Sequence, residues 1–110
     1  MANFEYKPRI ADQLLNSKLR TSGAVLVQGS KWCGKSTSAV QKAKSSLMLG
    51  SPKTLQESRN LLSIDPSLLL NGDTPRLFDE WQTIPELWDT IRSEVDERRE
   101  LGQFILTGSA

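Results

Sequence analysis

The chain has no histidine and a single cysteine, Cys33, in 110 residues. A Ser-His-Asp triad, a histidine-ligated metal, an intramolecular disulfide and an all-cysteine zinc site are thereby excluded. An excess of charge is lacking too: 14 Lys and Arg face 13 Asp and Glu, a net +1. That balance supplies no general attraction to nucleic acid or anionic lipid, although it does not exclude nucleic acid for a longer protein carrying this sequence. No apolar run approaches the ~18 residues of a membrane span. Met1–Lys7 has no apolar stretch behind a basic start, so no secretory signal is expected. What is present is a modest core: Leu, Ile, Val and Phe make up 28 of the 110 residues, above the ~20% that marks disordered chains. The expectation is one cytoplasmic domain over residues 1–110, with no membrane partner. Its chemistry must rest on Lys, Ser/Thr, Asp/Glu, Arg and backbone amides.

Periodicity places helices and strands in alternation. Ile10, Leu14, Leu15 and Leu19 predict a helix over Pro8–Arg20, stopped by Thr21-Ser22-Gly23. Ala24-Val25-Leu26-Val27 reads as a strand buried on both faces. A helix is predicted from Ser36 to about Ser46, then a short strand at Leu47-Met48-Leu49, a helix over Pro52–Leu62 and a helical turn at Leu68-Leu69-Leu70. Arg76–Asp79 is an apolar strand ending in acid. Thr83 and Glu86 have capping-box spacing, predicting a helix over about 84–99 with Leu87, Ile91 and Val95 buried. Phe104-Ile105-Leu106 is the last strand, stopping in Thr107-Gly108-Ser109. Alternation of this kind predicts an α/β layer structure around a mostly parallel sheet.

One motif carries chemistry directly. Gly29-Ser30-Lys31-Trp32-Cys33-Gly34-Lys35-Ser36 fits G-x-x-x-x-G-K-[ST] at every fixed position, between a strand pattern and a helix pattern. The glycines let backbone N–H groups turn inward, and with the helix N-terminus these amides form an anion site. Lys35 supplies charge for the outer phosphates of ATP and Ser36 a hydroxyl for Mg²⁺. Gly29 to Ser36 and the adjoining Thr37 are the candidate nucleotide-binding residues.

A second string, Asp79-Glu80, ends the apolar strand, where ligands of open α/β sheets sit. Asp79 is a candidate Mg²⁺ ligand beside Ser36. Glu80 is a candidate general base for the attacking water. Thr107 and Ser109 would reach the γ-phosphate or that water, and they suit a plain strand-to-loop transition equally well. Gln82 is a candidate to orient water or sense phosphate. Trp88 is expected to pack on the sheet and Trp81 to be core, while Trp32 sits in the loop. Cys33 reads as a small space-filler. Arg98 and Arg99 read as a solvated helix end.

These strings together, with Tyr6-x-Pro8-Arg9-Ile10-x-Asp12, Pro75-Arg76-Leu77-x-Asp79-Glu80-Trp81-Gln82, Glu86-Leu87-Trp88 and Gln103 to Ser109, resemble the AAA-type ATP-binding domain of a large prokaryotic family of P-loop ATPases. The resemblance implies a three-layer P-loop NTPase core, with Lys35 and Ser36 in the Walker A motif and Asp79 and Glu80 in Walker B. Thr107 or Ser109 is then the sensor, the sensor strand lies between the phosphate-loop and acid strands, and Tyr6–Asp12 lies near the adenine. By that likeness the sheet is truncated after the sensor strand. An exposed edge at Ala24–Val27 is the expected result. With no arginine finger, which is worth about 10³–10⁵ in rate, slow or no turnover by this stretch alone is expected. A homo-oligomer stays open. Two rival readings remain: a nucleotide-dependent regulatory module that barely hydrolyses ATP, and a small-molecule kinase.

Overall fold

The structure, a computed structural model, describes residues 8–29 and 35–109. Tyr6 and the loop residues Ser30, Lys31, Trp32, Cys33 and Gly34 therefore lie outside the described residues. The order of elements is α1 (Pro8–Leu19), β1 (Ala24–Gly29), α2 (Lys35–Lys42), β2 (Ser45–Met48), α3 (Pro52–Ile64), a 3₁₀ helix (Pro66–Leu70), β3 (Arg76–Asp79), a 3₁₀ turn (Trp81–Thr83), α4 (Leu87–Arg98) and β4 (Phe104–Ser109). The four strands form one sheet in the order β1-β4-β3-β2, and every pairing is parallel. The fold is thus α/β, with helices on both sheet faces, consistent with a P-loop NTPase core. The last strand in sequence, β4, lies between β1 and β3, as the resemblance implied.

Central position explains the apolar runs. Leu77 and Phe78 on β3 and Phe104, Ile105 and Leu106 on β4 are fully buried, because both faces of these strands are covered. Alternation divides them between two clusters. Phe78, Phe104 and Leu106 pack with Leu69, Leu70, Leu87 and Ile91 under α3, α4 and the 3₁₀ helix. Leu77 and Ile105 pack with Leu15, Leu19, Val25 and Ala39 under α1 and α2.

Several expectations are corrected. β1 is not buried on both faces: it is an edge of the described sheet, and Leu26 is 37% exposed. α2 ends at Lys42, short of Ser46, because the Lys44 N–H donates to the Pro75 carbonyl at 2.8 Å and draws the chain into the sheet. β2 accordingly starts earlier than expected, at Ser45. α3 runs two residues longer, to Ile64. Asp65 then accepts from the Ser67 N–H at 3.1 Å and caps the 3₁₀ helix. The predicted capping box does not form. Thr83 Oγ1 donates to the Glu80 carbonyl at 2.9 Å instead. Glu86, in helical conformation without a side-chain cap, precedes α4. β4 continues through Thr107-Gly108-Ser109 rather than stopping there.

Three side-chain expectations change as well. Trp88 is 37% exposed and leans on Trp81, ring centroids 5.7 Å apart, rather than packing into the sheet. Trp81 is half-buried against the larger cluster. Arg98 is not solvated: it pairs with Glu94 at 2.7 Å, donates to Gln103 Oε1 at 3.0 Å and lies 4.9 Å from the Phe104 ring centre. Arg99 is exposed, in the left-handed region that ends α4.

Candidate functional site

Parallel strands pointing one way deliver their C-terminal ends to one edge of the sheet. The register sets what meets there. Val27, Thr107 and Asp79 form one row across β1, β4 and β3. Neighbouring strands lie about 4.8 Å apart, so this row places Asp79 about 10 Å from β1. Two residues farther along, Gly29 pairs with Ser109. The chain leaves β1 at Gly29, and α2 begins at Lys35 after the loop. Lys35, Ser36 and Thr37 thus form the first turn of α2, a helix packed across β1, β4 and β3. The strand ends carrying Gly29, Asp79, Glu80, Thr107 and Ser109 share one edge. The other loop candidates, Ser30 to Gly34, lie outside the described residues.

The acid strand has the most detailed geometry. Asp79 is half-buried, and its Oδ1 accepts from Thr107 Oγ1 at 2.6 Å. Thr107 is fully buried, and its hydroxyl hydrogen goes to this carboxylate. A buried hydroxyl needs a partner, and an ionised acceptor is a strong one.

Glu80 turns the chain at once. It has φ 58 and ψ 46, left-handed for a residue with a Cβ, a conformation that costs of order 1–3 kcal/mol and concentrates at functional sites. Three contacts hold it. The Thr83 N–H and Thr83 Oγ1 both donate to its carbonyl, at 3.1 and 2.9 Å. Gln82 Nε2 donates to its Oε2 at 2.5 Å. The turn carries Trp81 and Gln82 back over Gly108 of β4. A Cβ at Gly108 would stand 2.6 Å from Gln82 Oε1 and 3.3 Å from Trp81 Nε1. Trp81 Nε1 is buried and has no hydrogen-bond partner among the described residues.

Gly108 was not singled out by the sequence reading beyond ending a strand. The signal available was a glycine inside a strand pattern, which marks a close approach of another chain segment. At the opposite end of β3, burial pushes the Arg76 guanidinium below its usual pKa. It donates to the Leu69 carbonyl at 2.9 Å and to Ser45 Oγ at 3.1 Å, so it braces β2 and the 3₁₀ helix rather than serving the site.

As to metal, the described residues contain no group of three or more His, Cys, Asp or Glu side chains that could hold an ion. The Asp79 carboxylate, at the strand end with one oxygen engaged by Thr107, is the hard oxygen donor that Mg²⁺ favours. Mg²⁺ commonly takes one or two protein ligands and fills its remaining positions with phosphate oxygens and water. No helix of the described residues is long and apolar enough to cross a membrane.

Comparison with known families gives one result: a family model described as an AAA domain matches residues 21–110. The chain belongs to that family. Comparison with curated proteins and with solved structures returned no match.

Proposed function

We propose that this AAA domain binds ATP with Mg²⁺ at the C-terminal edge of its sheet and hydrolyses the β–γ bond. The single observation that carries the reading is the shared edge. The first turn of α2, the Asp79–Thr107 pair and the strained Glu80 all stand where β1, β3 and β4 end. In this reading the loop amides and Lys35 bind the phosphates, and the α2 N-terminus adds positive potential. Glu80 takes the proton of a water whose oxygen attacks the γ-phosphorus as the bond to ADP breaks. Asp79 and Ser36 would hold Mg²⁺, which when bound neutralises phosphate charge. Thr107 orients Asp79 through its 2.6 Å hydrogen bond, and Ser109 is the second candidate sensor. The compartment in this reading is cytoplasmic, and a homo-oligomer stays open.

Two variants test it. Lys35→Ala should abolish ATP binding measured by calorimetry; unchanged affinity would end the proposal. Glu80→Gln should keep binding and lower turnover by about 10²-fold or more, the usual range for loss of a general base. If turnover survives Glu80→Gln, Glu80 is not the base; if the unmodified chain binds ATP without turning it over, the regulatory-module reading replaces hydrolysis. If phosphate moves to a metabolite rather than to water, the kinase reading does.

A further inference from the structure

The proposed base does not stand alone: Gln82 is hydrogen-bonded to its carboxylate. The 2.5 Å hydrogen bond from Gln82 Nε2 to Glu80 Oε2 uses one end of the carboxamide. The other end, Oε1, lies against β4 at Gly108, where a Cβ would come within 2.6 Å. Gly108 stands between Thr107, which holds Asp79, and Ser109, which pairs with Gly29. One carboxamide therefore spans the gap between the Glu80 carboxylate and the strand that crosses the middle of the site. It can do so because position 108 lacks a side chain. The left-handed backbone at Glu80 brings Gln82 round to this place, and Trp81, wedged against the same glycine, fixes the turn from below.

We propose that Gln82 is a positioning residue, its carboxamide seated on Gly108 so that the Glu80 carboxylate is held in register with β4. The inference rests on the hydrolytic reading above, in which Glu80 is the base. The mechanism is preorganisation: a carboxylate on a flexible side chain is restrained to one direction before nucleotide arrives, and misplacement by about 1 Å can cost 10²-fold in rate. Gln82 touches neither phosphate nor water in this scheme. Its loss should thus lower kcat and leave the KM for ATP nearly unchanged.

The test is a double-mutant cycle with the whole chain in excess over ATP, so that a slow single turnover is still measured. Gln82→Ala is expected to lower the rate about tenfold, with ATP affinity within twofold of wild type. Gly108→Ala keeps every hydrogen-bonding group but fills the seat, and it should reproduce that loss. The double variant should be no slower than Gln82→Ala, because the added methyl then has no carboxamide to displace. Losses that multiply would show that Gly108 acts through strand integrity alone and would overturn the inference. A rate raised by Gln82→Ala would overturn it also, since Gln82 would then be parking Glu80 away from the water. Glu80→Gln in the same assay separates the two proposals. If it abolishes turnover while Gln82→Ala has no effect, positioning fails and the base stands; if it has no effect, the base itself fails. Should turnover be too slow to detect, the Trp81 ¹⁹F resonance of the chain labelled with 5-fluorotryptophan reads the same coupling without a substitution at Trp32 or Trp88. An ATP-versus-ADP difference that Gln82→Ala abolishes supports the proposal; no difference, or one that persists, overturns it.

Discussion

The two faces of the sheet are built differently. Among the described residues, nine buried apolar side chains under α3, α4 and the 3₁₀ helix form one cluster, including both phenylalanines of the strands, and Leu47, Leu55, Leu62, Trp81 and Val95 pack around it. The described cluster under α1 and α2 is aliphatic throughout: Leu15, Leu19, Val25, Ala39, Leu77 and Ile105, with Val27 and Ala43 at its margin. The first face thus sets aromatic rings against the strands, and the described part of the second sets only aliphatic side chains there. The second also carries the helix that begins with Lys35 and Ser36.

The largest expected effect sharpens that contrast. Leu106 and Leu77 are both leucines, both fully buried and both on central strands, but on opposite faces. Leu106→Ala should fall near the upper end of the ~2–5 kcal/mol range for such changes, and Leu77→Ala near the lower end, because the rings of Phe78 and Phe104 in the Leu106 cluster relax into a cavity less readily than the aliphatic neighbours of Leu77. Urea unfolding checks this, and equal losses would break the comparison. Next in size, Thr107→Val removes the hydroxyl bonded to Asp79 and should cost about 1–3 kcal/mol, read in the same assay. Arg98→Ala, on the aromatic face, should cost about 1 kcal/mol through its partly exposed Glu94 pair and its packing on Phe104. Arg99→Ala beside it should leave the unfolding midpoint in place. The smallest change is a gain: Arg99 has φ 54, so Arg99→Gly should stabilise by about 0.5–1 kcal/mol by relieving the left-handed backbone. Thermal melting would show a rise of a few degrees, and a fall would mean that the Arg99 side chain does work the contrast omits.

Much of the fold was legible from residue order. The strands at Ala24, Arg76 and Phe104 and the helices at Pro8, Pro52 and Leu87 follow from apolar spacing and turn residues, and the loop motif marks where a nucleotide would sit. The misreadings share one cause. Thr83 and Glu86 have the spacing of a cap, but Thr83 is drawn to the Glu80 carbonyl by a turn that Glu80's own left-handed backbone creates. Ser45 and Ser46 read as helix, but a hydrogen bond from Lys44 to Pro75 commits them to a strand edge. Trp88 reads as core, but its position on α4 faces Trp81 and solvent. Local propensity yields to a specific hydrogen bond or contact, whether its partner is distant in the chain, as Pro75 is from Lys44, or near, as Glu80 is to Thr83 and Trp81 to Trp88. The turn or crossover that brings the partner in is not itself read from propensity.

By itself the sequence determined the chemistry at hand, because residue types are fixed by composition. Without histidine, and with one cysteine, it must work with Lys, Ser and Thr, Asp and Glu, Arg and backbone amides. It also determined the α/β alternation, because periodicity is a local property. Only the tertiary structure decided that β4 crosses between β1 and β3, that Thr107 spends its hydroxyl on Asp79, and that Gly108 seats Gln82 against Glu80. Those are facts of register and close approach between distant segments, set by the packing of the whole chain at once.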